Sequence, residues 1–324
     1  MSKTSILITG SAGQLGIELA ARLRQEYGEE RVIATDIRKS NRIEEAGPFE
    51  HLDVLDREHL ADTVARYEIG TIYHLAAILS ANGEKQIEKT WELNIDGLLN
   101  VLELGRSDGN NPNGSNKPVS HIFWPSSIAV FGPDASREMT PQNSPLNPTT
   151  VYGISKVAGE QWCAYYHHRF GVDVRSLRYP GLIGYKSEPG GGTTDYAVDM
   201  LQAAASGNSY TCPLGANTRL PMMYMDDAVK ASRDLMSAPS EVVDIRTSYN
   251  VGAMSFSPDD MARVIRRHVP GFDVDYAPDE RDTIAASWPD SIDDGKARQD
   301  WEWKPDFDLG AMVKYILDKY QQAV

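Results

Sequence analysis

The chain has 324 residues, enough for one large domain or two smaller ones that share a core. Its formal net charge of −14 and the lack of a basic stripe argue against nucleic acid or an anionic membrane as a partner. The two cysteines, Cys163 and Cys212, have no metal-ligand spacing, so we expect neither a metal site nor a disulfide scaffold. No signal-peptide pattern and no long apolar run is found, so we expect a soluble cytoplasmic protein.

Strands and helices alternate through the first half of the chain. The predicted strands are SILITG, RVIATDI, FEHLDV, TIYHLAA, VSHIFWPSS and DVRSLRYPGLIG. The predicted helices are QLGIELAARLRQEY, REHLADTVARY, TWELNIDGLLNVLELGRS and a helix from about Val151 to His168. Because the strands are apolar enough for burial on both faces, the pattern predicts an α/β fold with a Rossmann-type doubly wound parallel sheet.

The turn after the first strand, TGSAGQLG, carries Gly10, Gly13 and Gly16. Glycines at this spacing let the backbone turn tightly and approach a pyrophosphate without a Cβ clash. The N–H groups of the helix start, at Gln14 and Leu15, then face the anion. This strand–turn–helix context predicts a dinucleotide-binding site.

The ends of the next two strands offer contacts to the adenosine half of a dinucleotide. Asp36 ends the second strand, where a carboxylate accepts both ribose hydroxyls and repels a 2′-phosphate, which favours NAD over NADP. Arg38 weakens this preference, because a nearby arginine could pair with that phosphate. Asp53, followed by Val54, either bonds the adenine amino group or is a solvated turn aspartate.

The sequence YGISK places Tyr152 and Lys156 on one face of a helix start. An ammonium stabilises phenolate, and lowering a phenol pKa from ~10 to ~7 takes about 4 kcal/mol. Ser126 and Ser127 end a strand upstream, and one of these hydroxyls could hold a substrate oxygen beside the phenol. The arrangement predicts Tyr152 as a general base, the alternative being a helix pair without chemistry.

Beyond Gly184 the elements become shorter. Ser257 and Pro258 predict a helix start, and an apolar stripe predicts a final helix near the C-terminus. We predict an NAD-binding domain over residues 1–178, to which about 221–252 return, and a discontinuous substrate lobe mainly within 179–324. The polar insertion from Ser107 to Pro118 is expected to be an exposed loop.

Taken together, these motifs resemble the extended short-chain dehydrogenase/reductase family over the whole chain. The resemblance implies an NAD(P) cofactor and proton chemistry by Ser127, Tyr152 and Lys156. It also implies a proton-relay and cofactor role for Asn94 in ELNIDG, which could instead be a helix-packing amide. The further cofactor-binding residues that it implies are Leu75, Ala76 and Ala77 of HLAA, with Tyr179 and Leu182 flanking the nicotinamide.

Within that family, YPGLIGYKSEPGGGTTDYA, AAILSANGE and SWPDSIDD are similar to the NAD-dependent L-threonine 3-dehydrogenases. That similarity implies L-threonine as substrate, oxidised at its C3 hydroxyl to L-2-amino-3-oxobutyrate. A small zwitterion gains little from buried area, so its site must close around it.

The residues predicted to close around the substrate come from three segments. Gly190–Gly192 would hinge a lid, while Thr193 and Thr194 would bring hydroxyl and N–H groups to the carboxylate. Ser80 would approach from the sheet side, and Trp288 would form an apolar wall by resemblance. The alternatives are a plain surface linker and a core-filling tryptophan.

Two other functions stay open from the sequence. One is an NAD-dependent nucleotide-sugar 4-epimerase or dehydratase, and the other is a non-catalytic dinucleotide-sensing protein. Helices near 91–105 and 151–168 carry apolar outer positions, and members of the resembled family pair through such helices. We therefore expect a homodimer, with a small molecule as the other partner.

Overall fold

The computed structural model describes residues 4–39, 43, 46–107, 118–186 and 192–322. Within these residues, one parallel sheet contains seven strands: β1 (Ser5–Thr9), β2 (Val32–Asp36), β3 (Phe49–His51), β4 (Ile69–His74), β5 (His121–Ser127), β6 (Val174–Tyr179) and β10 (Tyr249–Asn250). Their order across the sheet is β10-β6-β5-β4-β1-β2-β3. The predicted Rossmann-type sheet is confirmed.

Helices cover both faces of this sheet. Alternate residues of β1 enter different cores, since Ile6 and Ile8 pack in one cluster and Leu7 in the other. The first cluster includes residues of the helices Gln14–Tyr27 and Met225–Ser237. The second includes residues of the helices Arg57–Arg66, Gly97–Glu103 and Val151–Phe170. The last of these, Val151–Phe170, carries the predicted general base Tyr152 and is called the catalytic helix below after that prediction.

The strand order reverses between β1 and β4, which are neighbours in the sheet although β2 and β3 separate them in sequence. A crevice forms at such a reversal, because the connections on either side leave in opposite directions. The carboxyl ends of β1, β2, β4, β5 and β6 therefore open towards one region, and that region holds the predicted site residues.

A smaller lobe is built from two short sheets and further helices. Strands β7 (Gly181–Ile183), β9 (Leu220–Tyr224) and β11 (Met254–Phe256) form one sheet, while β8 (Tyr210–Cys212) and β12 (Val274–Tyr276) form the other. Of the remaining α-helices in the described residues, this lobe contains Tyr196–Ala205, Pro258–Arg266, Glu280–Ala286 and Leu309–Gln322. Ser80–Gly83 and Ile87–Trp91 instead contact the catalytic helix, and Gly295–Trp301 contacts β10. Ser257 caps its helix as predicted, through a capping box with Asp260.

Two predicted elements differ from the observed ones. The strand predicted over DVRSLRYPGLIG is divided at Pro180, so β6 lies in the large sheet and β7 in the three-stranded sheet. Proline lacks the N–H that would continue the ladder. The long helix predicted from Thr90 is interrupted by a π turn at Glu92–Asp96.

The predicted domain limits stay a prediction. Within the segment predicted to return to the first domain, β10 joins the large sheet whereas β9 joins the three-stranded one. Most of the polar insertion (108–117) and part of the lid segment (187–191) lie outside the described residues. Across the described ranges, no helix has the length and apolar character needed to cross a membrane.

Candidate functional site

A cavity of about 950 Å³ lies along the carboxyl ends of the large sheet. It brings together residues predicted from widely separated segments. Its lining contains Gly10, Gly13, Gln14, Leu15, Gly16, Asp36, Arg38, Asp53, Val54, Leu75, Ala76, Ala77, Ser80, Ser127, Tyr152, Lys156, Tyr179, Leu182, Gly192, Thr193, Thr194 and Trp288. Of the predicted site residues that the structure describes, Asn94 alone is outside this lining.

The glycine turn at the start of the cavity tolerates no side chain at two of its positions. Gly10 has a φ of +71°, and a Cβ there would lie 2.6 Å from the backbone nitrogen of Ala76. A Cβ at Gly16 would lie 2.5 Å from the carbonyl oxygen of Gly10. The turn thus presents bare backbone next to a helix start, which fits the pyrophosphate of a dinucleotide.

Asp36 lies at the end of β2 with its carboxylate already held in place. One oxygen accepts a hydrogen bond from the Ala12 N–H at 3.0 Å, and the other accepts from the Arg38 N–H at 2.9 Å. The Arg38 side chain is exposed, and its Nε lies 3.4 Å from the same carboxylate. Asp36 therefore ties the β2 end to the glycine turn and presents negative charge where a ribose would lie.

Asp53 follows β3 and is exposed at the cavity edge. Its carboxylate accepts a hydrogen bond from the Leu55 N–H at 3.0 Å, which is a local turn contact. Both readings from the sequence, an adenine contact and a turn aspartate, are compatible with this position. The adenine contact stays a prediction.

Tyr152 and Lys156 occupy the first turns of the catalytic helix, beside the end of β5. The Lys156 ammonium donates to the Pro125 carbonyl oxygen at 2.7 Å and lies 4.4 Å from the centroid of the Trp124 ring. Both contacts favour its charged form. The catalytic helix is positioned by Thr150, whose hydroxyl accepts from the Gly153 N–H and caps the helix.

Burial sets the proton affinities of these two groups. Burial raises the pKa of Tyr152 to about 12, although a hydrogen bond with Ser127 acts in the opposite direction. Burial lowers the pKa of Lys156 to about 7, against the raising effects of Cys163 and Glu160. In the protein alone, desolvation therefore outweighs the acidification of the phenol that the sequence spacing suggests.

The two serines at the end of β5 have different partners. Ser126 is buried, and its hydroxyl donates to Glu160 Oε1 at 2.7 Å. Ser127 is next to Tyr152, and its hydroxyl also accepts from the Ala129 N–H at 3.2 Å. Ser127 is thus the serine that can hold an oxygen beside the phenol, whereas Ser126 also lines the cavity but has its hydroxyl engaged by Glu160.

Asn94 lies in the π turn and is buried. Its Oδ1 accepts from the Ile78 N–H at 2.9 Å, and its Nδ2 donates to the Ile78 carbonyl at 3.1 Å and to the Ser155 hydroxyl at 3.1 Å. These contacts fix the segment after β4 to the catalytic helix. The proton-relay and cofactor roles implied for Asn94 stay predictions, and the packing alternative describes its observed contacts.

The predicted substrate residues meet at the other end of the cavity. The hydroxyls of Ser80 and Thr193 lie 3.3 Å apart, and both residues are buried. The Gly192 N–H donates to the Asp195 carboxylate at 2.7 Å, which holds the start of this turn. Trp288 is 6% exposed. It lines the cavity and also packs in the core of the smaller lobe.

Tyr179 and Leu182 flank the cavity on either side of the break at Pro180. The Tyr179 hydroxyl donates to the Ala228 carbonyl oxygen at 2.8 Å, which leaves its ring to line the cavity. Sequence reasoning missed several polar lining residues. Asn82, Tyr185 and Lys186 lie within the segments AAILSANGE and YPGLIGYKSEPGGGTTDYA, whereas no motif gives a signal for Gln86, Lys89 and Gln202. Across the part of the chain that the structure describes, no group of three His, Cys, Asp or Glu side chains could hold a metal ion.

Comparison with known proteins is consistent with this geometry. The family described as "NAD dependent epimerase/dehydratase family" matches residues 6–252. An uncharacterized epimerase/dehydratase of Staphylococcus haemolyticus is 44% identical over 98% of this chain and 98% of its own.

Two solved structures are similar over nearly the full length. One is a partial consensus L-threonine 3-dehydrogenase, with a TM-score of 0.94 and 52% identity, covering 99% of this chain and 100% of the other. The second is the holo form of a GalE-like L-threonine dehydrogenase from Cupriavidus necator, with a TM-score of 0.92 and 50% identity, covering 97% and 99%. The glycine turn and the Asp36 carboxylate agree with the family match. The chain belongs to the NAD-dependent epimerase/dehydratase family, with NAD as its cofactor.

Proposed function

We propose that this protein oxidises L-threonine at its C3 hydroxyl, with NAD as acceptor, to give L-2-amino-3-oxobutyrate. The observation that carries the proposal is the contact between Ser80 and Thr193, which narrows the substrate end of the cavity with two hydroxyls 3.3 Å apart. Trp288 supplies an apolar wall to the same cavity. Such a site suits a small amino acid better than a nucleotide sugar. The similarity to L-threonine dehydrogenases supports this substrate.

Ser127 and Tyr152 handle the proton of the substrate alcohol. Ser127 orients the C3 oxygen, and Tyr152 accepts the hydroxyl proton as the ketone forms. Because burial raises the phenol pKa to about 12, Tyr152 becomes a base only when positive charge lies near it. Lys156 supplies one such charge, and its bond to the Pro125 carbonyl keeps the ammonium in place.

When bound, NAD would supply the two-electron acceptor for the hydride that leaves C3. Gly10, Gly13 and Gly16 form the backbone turn that would hold its pyrophosphate, and Asp36 would hold the adenosine ribose. Thr193 and Thr194 would bind the substrate carboxylate, and the closed cavity would exclude water during transfer.

A direct assay tests the proposal. NAD and L-threonine are mixed with the protein, and the absorbance band of NADH is followed, with serine, 3-hydroxybutyrate and UDP-galactose as comparison substrates. We expect NADH with L-threonine, and its loss in Tyr152→Phe while NAD binding is retained. Turnover of a nucleotide sugar without net NADH, and none with L-threonine, would instead favour the epimerase alternative.

A second copy of the chain is the proposed protein partner. Ile154, Trp162 and Tyr165 are exposed on the catalytic helix, and Trp91 is exposed on the neighbouring segment. Large apolar side chains that line up on one helix face favour a partner surface over water. We propose a homodimer through this face, formed by helices within 91–105 and 151–168.

A further inference from the structure

Glu160 and Arg178 form an ion pair that is buried behind the cavity. The Arg178 guanidinium donates from Nε to one carboxylate oxygen at 2.9 Å and from Nη2 to the other at 2.7 Å. The carboxylate side chain is fully buried, and the guanidinium is 4% exposed. Neither residue lines the cavity, so the pair does not touch cofactor or substrate there.

Glu160 lies near a residue of the proton-transfer site, and Arg178 lies next to a residue that lines the cavity. Glu160 lies one helical turn after Lys156, and its carboxylate also accepts the Ser126 hydroxyl at 2.7 Å. Ser126 precedes Ser127 at the end of β5, and Arg178 precedes Tyr179 at the end of β6. The pair therefore joins the catalytic helix to the ends of two strands.

Besides Glu160, Arg178 bonds to β10 of the large sheet and to the segment that contains Gln142. Its Nη1 donates to the Gln142 carbonyl at 2.9 Å and to Asn250 Oδ1 at 3.1 Å. The Asn250 amide donates to the carbonyl oxygens of Thr140 at 3.1 Å and Asp293 at 3.2 Å. Asp293 lies in the segment that follows Trp288 in the chain.

We propose that Glu160 and Arg178 are positioning residues, whose ion pair holds Ser127, Tyr152 and Lys156 in the mutual geometry that proton transfer requires. A general base must lie within hydrogen-bond distance of the proton that it accepts, and a misplacement of about 1 Å can cost about a hundredfold in rate. The three groups come from two elements, β5 and the catalytic helix. Glu160 is bonded to the first element and belongs to the second.

The competing explanation is that the pair serves only fold stability. The same strand offers a matched control, because Arg175 makes the same bidentate contact with Asp173, at 2.9 and 2.8 Å. Arg175 is also buried and also donates Nη1 to backbone carbonyls, those of Leu235 and Ala238. It lies at the opposite end of β6 from the cavity, outside the lining.

The experiment compares Arg178→Met, Arg175→Met and the double variant Glu160→Met/Arg178→Met. Each is measured for thermal midpoint, NAD dissociation constant, kcat and KM for L-threonine. We expect Arg178→Met to lower kcat about tenfold or more with NAD affinity unchanged. Arg175→Met should keep kcat whatever the fall in its thermal midpoint, and there Asp173 keeps its ion pair with Arg246 at 2.8 Å. The double variant, which leaves no buried charge unpaired, should regain thermal stability but not kcat.

A conservative change at Arg178 gives a further readout. Arg178→Lys keeps the charge but loses the two parallel bonds, so kcat should stay low. A double variant with wild-type kcat would overturn the proposal, as would equal losses of kcat in Arg175→Met and Arg178→Met. Either result would make the pair a stability element only.

This inference rests on the proposed oxidation, so its test includes a readout that needs no turnover. Crystal structures of the double variant and of Arg175→Met are compared for the distance between the hydroxyls of Ser127 and Tyr152. We expect that distance to lengthen by about 1 Å in the first alone. Wild-type protein that yields no NADH from L-threonine would refute the proposed function, whereas an unchanged distance would refute the positioning role.

Discussion

The ammonium of Lys156 lies 5.5 Å from the centroid of the Tyr152 ring, and both side chains are buried. Burial opposes charge on each of them, which is why the pKa of the phenol is raised to about 12 and that of the ammonium is lowered to about 7. The charged form of each group therefore needs an opposite charge nearby, either from the other group or from a ligand. This is a common arrangement at positions of proton chemistry.

The lowered pKa of Lys156 predicts how stability depends on pH. Its pKa is about 7 when folded and 10.5 as the reference value, so between these limits the unfolded chain binds more protons. The free energy of unfolding should rise with pH in that window, by up to about 1.4 kcal/mol per pH unit from this group. Lys156→Met should lack that part of the rise. Urea unfolding from pH 7.5 to about 9, where Tyr152 stays largely protonated in both states, measures the difference.

Parallel pH profiles for the wild type and Lys156→Met would contradict this prediction. The comparison between the two proteins is the informative quantity, because every other titrating group is common to both. A stable variant that still lacks turnover would also separate the role of Lys156 in proton chemistry from its role in folding.

The contact between Ser80 and Thr193 predicts a specific kinetic effect. Ser80→Ala and Thr193→Val should each raise KM for L-threonine about fivefold. Each variant loses one hydroxyl at the substrate end of the cavity, and with it a hydrogen bond worth about 1 kcal/mol. NAD affinity should not change. Thr218→Val is the matched control, since its hydroxyl donates to Asp282 at 2.6 Å outside the cavity lining. If steady-state kinetics gave the same KM for L-threonine in all three variants, Ser80 and Thr193 would not belong to the substrate site.

The carboxylate of Asp36 predicts a preference for NAD over NADP. Asp36→Asn keeps an oxygen that can accept from the Ala12 or Arg38 N–H but removes the negative charge that would repel a 2′-phosphate. NAD affinity should fall about tenfold, and binding of NADP should appear. Fluorescence titration with both cofactors measures this, with Asp56→Asn as a control at a helix cap outside the cavity. An unaltered preference for NAD would show that Asp36 does not hold the ribose.

The exposed side chains of Ile154, Trp162 and Tyr165 on the catalytic helix predict the oligomeric state. Tyr165→Glu places a charge on the catalytic helix at a residue that is 49% exposed, so it should split a dimer formed through this face. Tyr27→Glu, at 37% exposed on a different helix, should not. Sedimentation velocity of both variants and of the wild type distinguishes these outcomes. A wild-type protein that sediments as a monomer would refute the homodimer.

Much of the fold follows from local pattern. The alternation of buried strands with amphipathic helices predicts the parallel sheet, and glycine spacing after β1 predicts a turn that the backbone confirms through the φ of +71° at Gly10. The cap at Ser257 was equally readable, because a capping box needs only residues three apart. These features depend on neighbours in sequence, so the sequence contains them directly.

Other features could not be read from the chain. Nothing in PSSIAVFG separates the two serines, and only the tertiary structure shows that the Ser126 hydroxyl is bonded to the buried carboxylate of Glu160. Glu160 and Arg178 give no motif, since their roles come from a contact between a helix and a strand. The interruption at Pro180 is visible in sequence, but the transfer of β7 to a different sheet is not.

By itself, the sequence determined the order of the elements, the backbone freedom at the glycine turn and the residues able to carry charge or donate protons. The tertiary structure alone decided which of those residues meet, as with Ser80 and Thr193, which are 113 positions apart. It also decided that burial, more than the neighbouring ammonium, controls the Tyr152 pKa in the protein alone. The physical reason is that desolvation and long-range contacts depend on the packing of distant segments, which local periodicity does not encode.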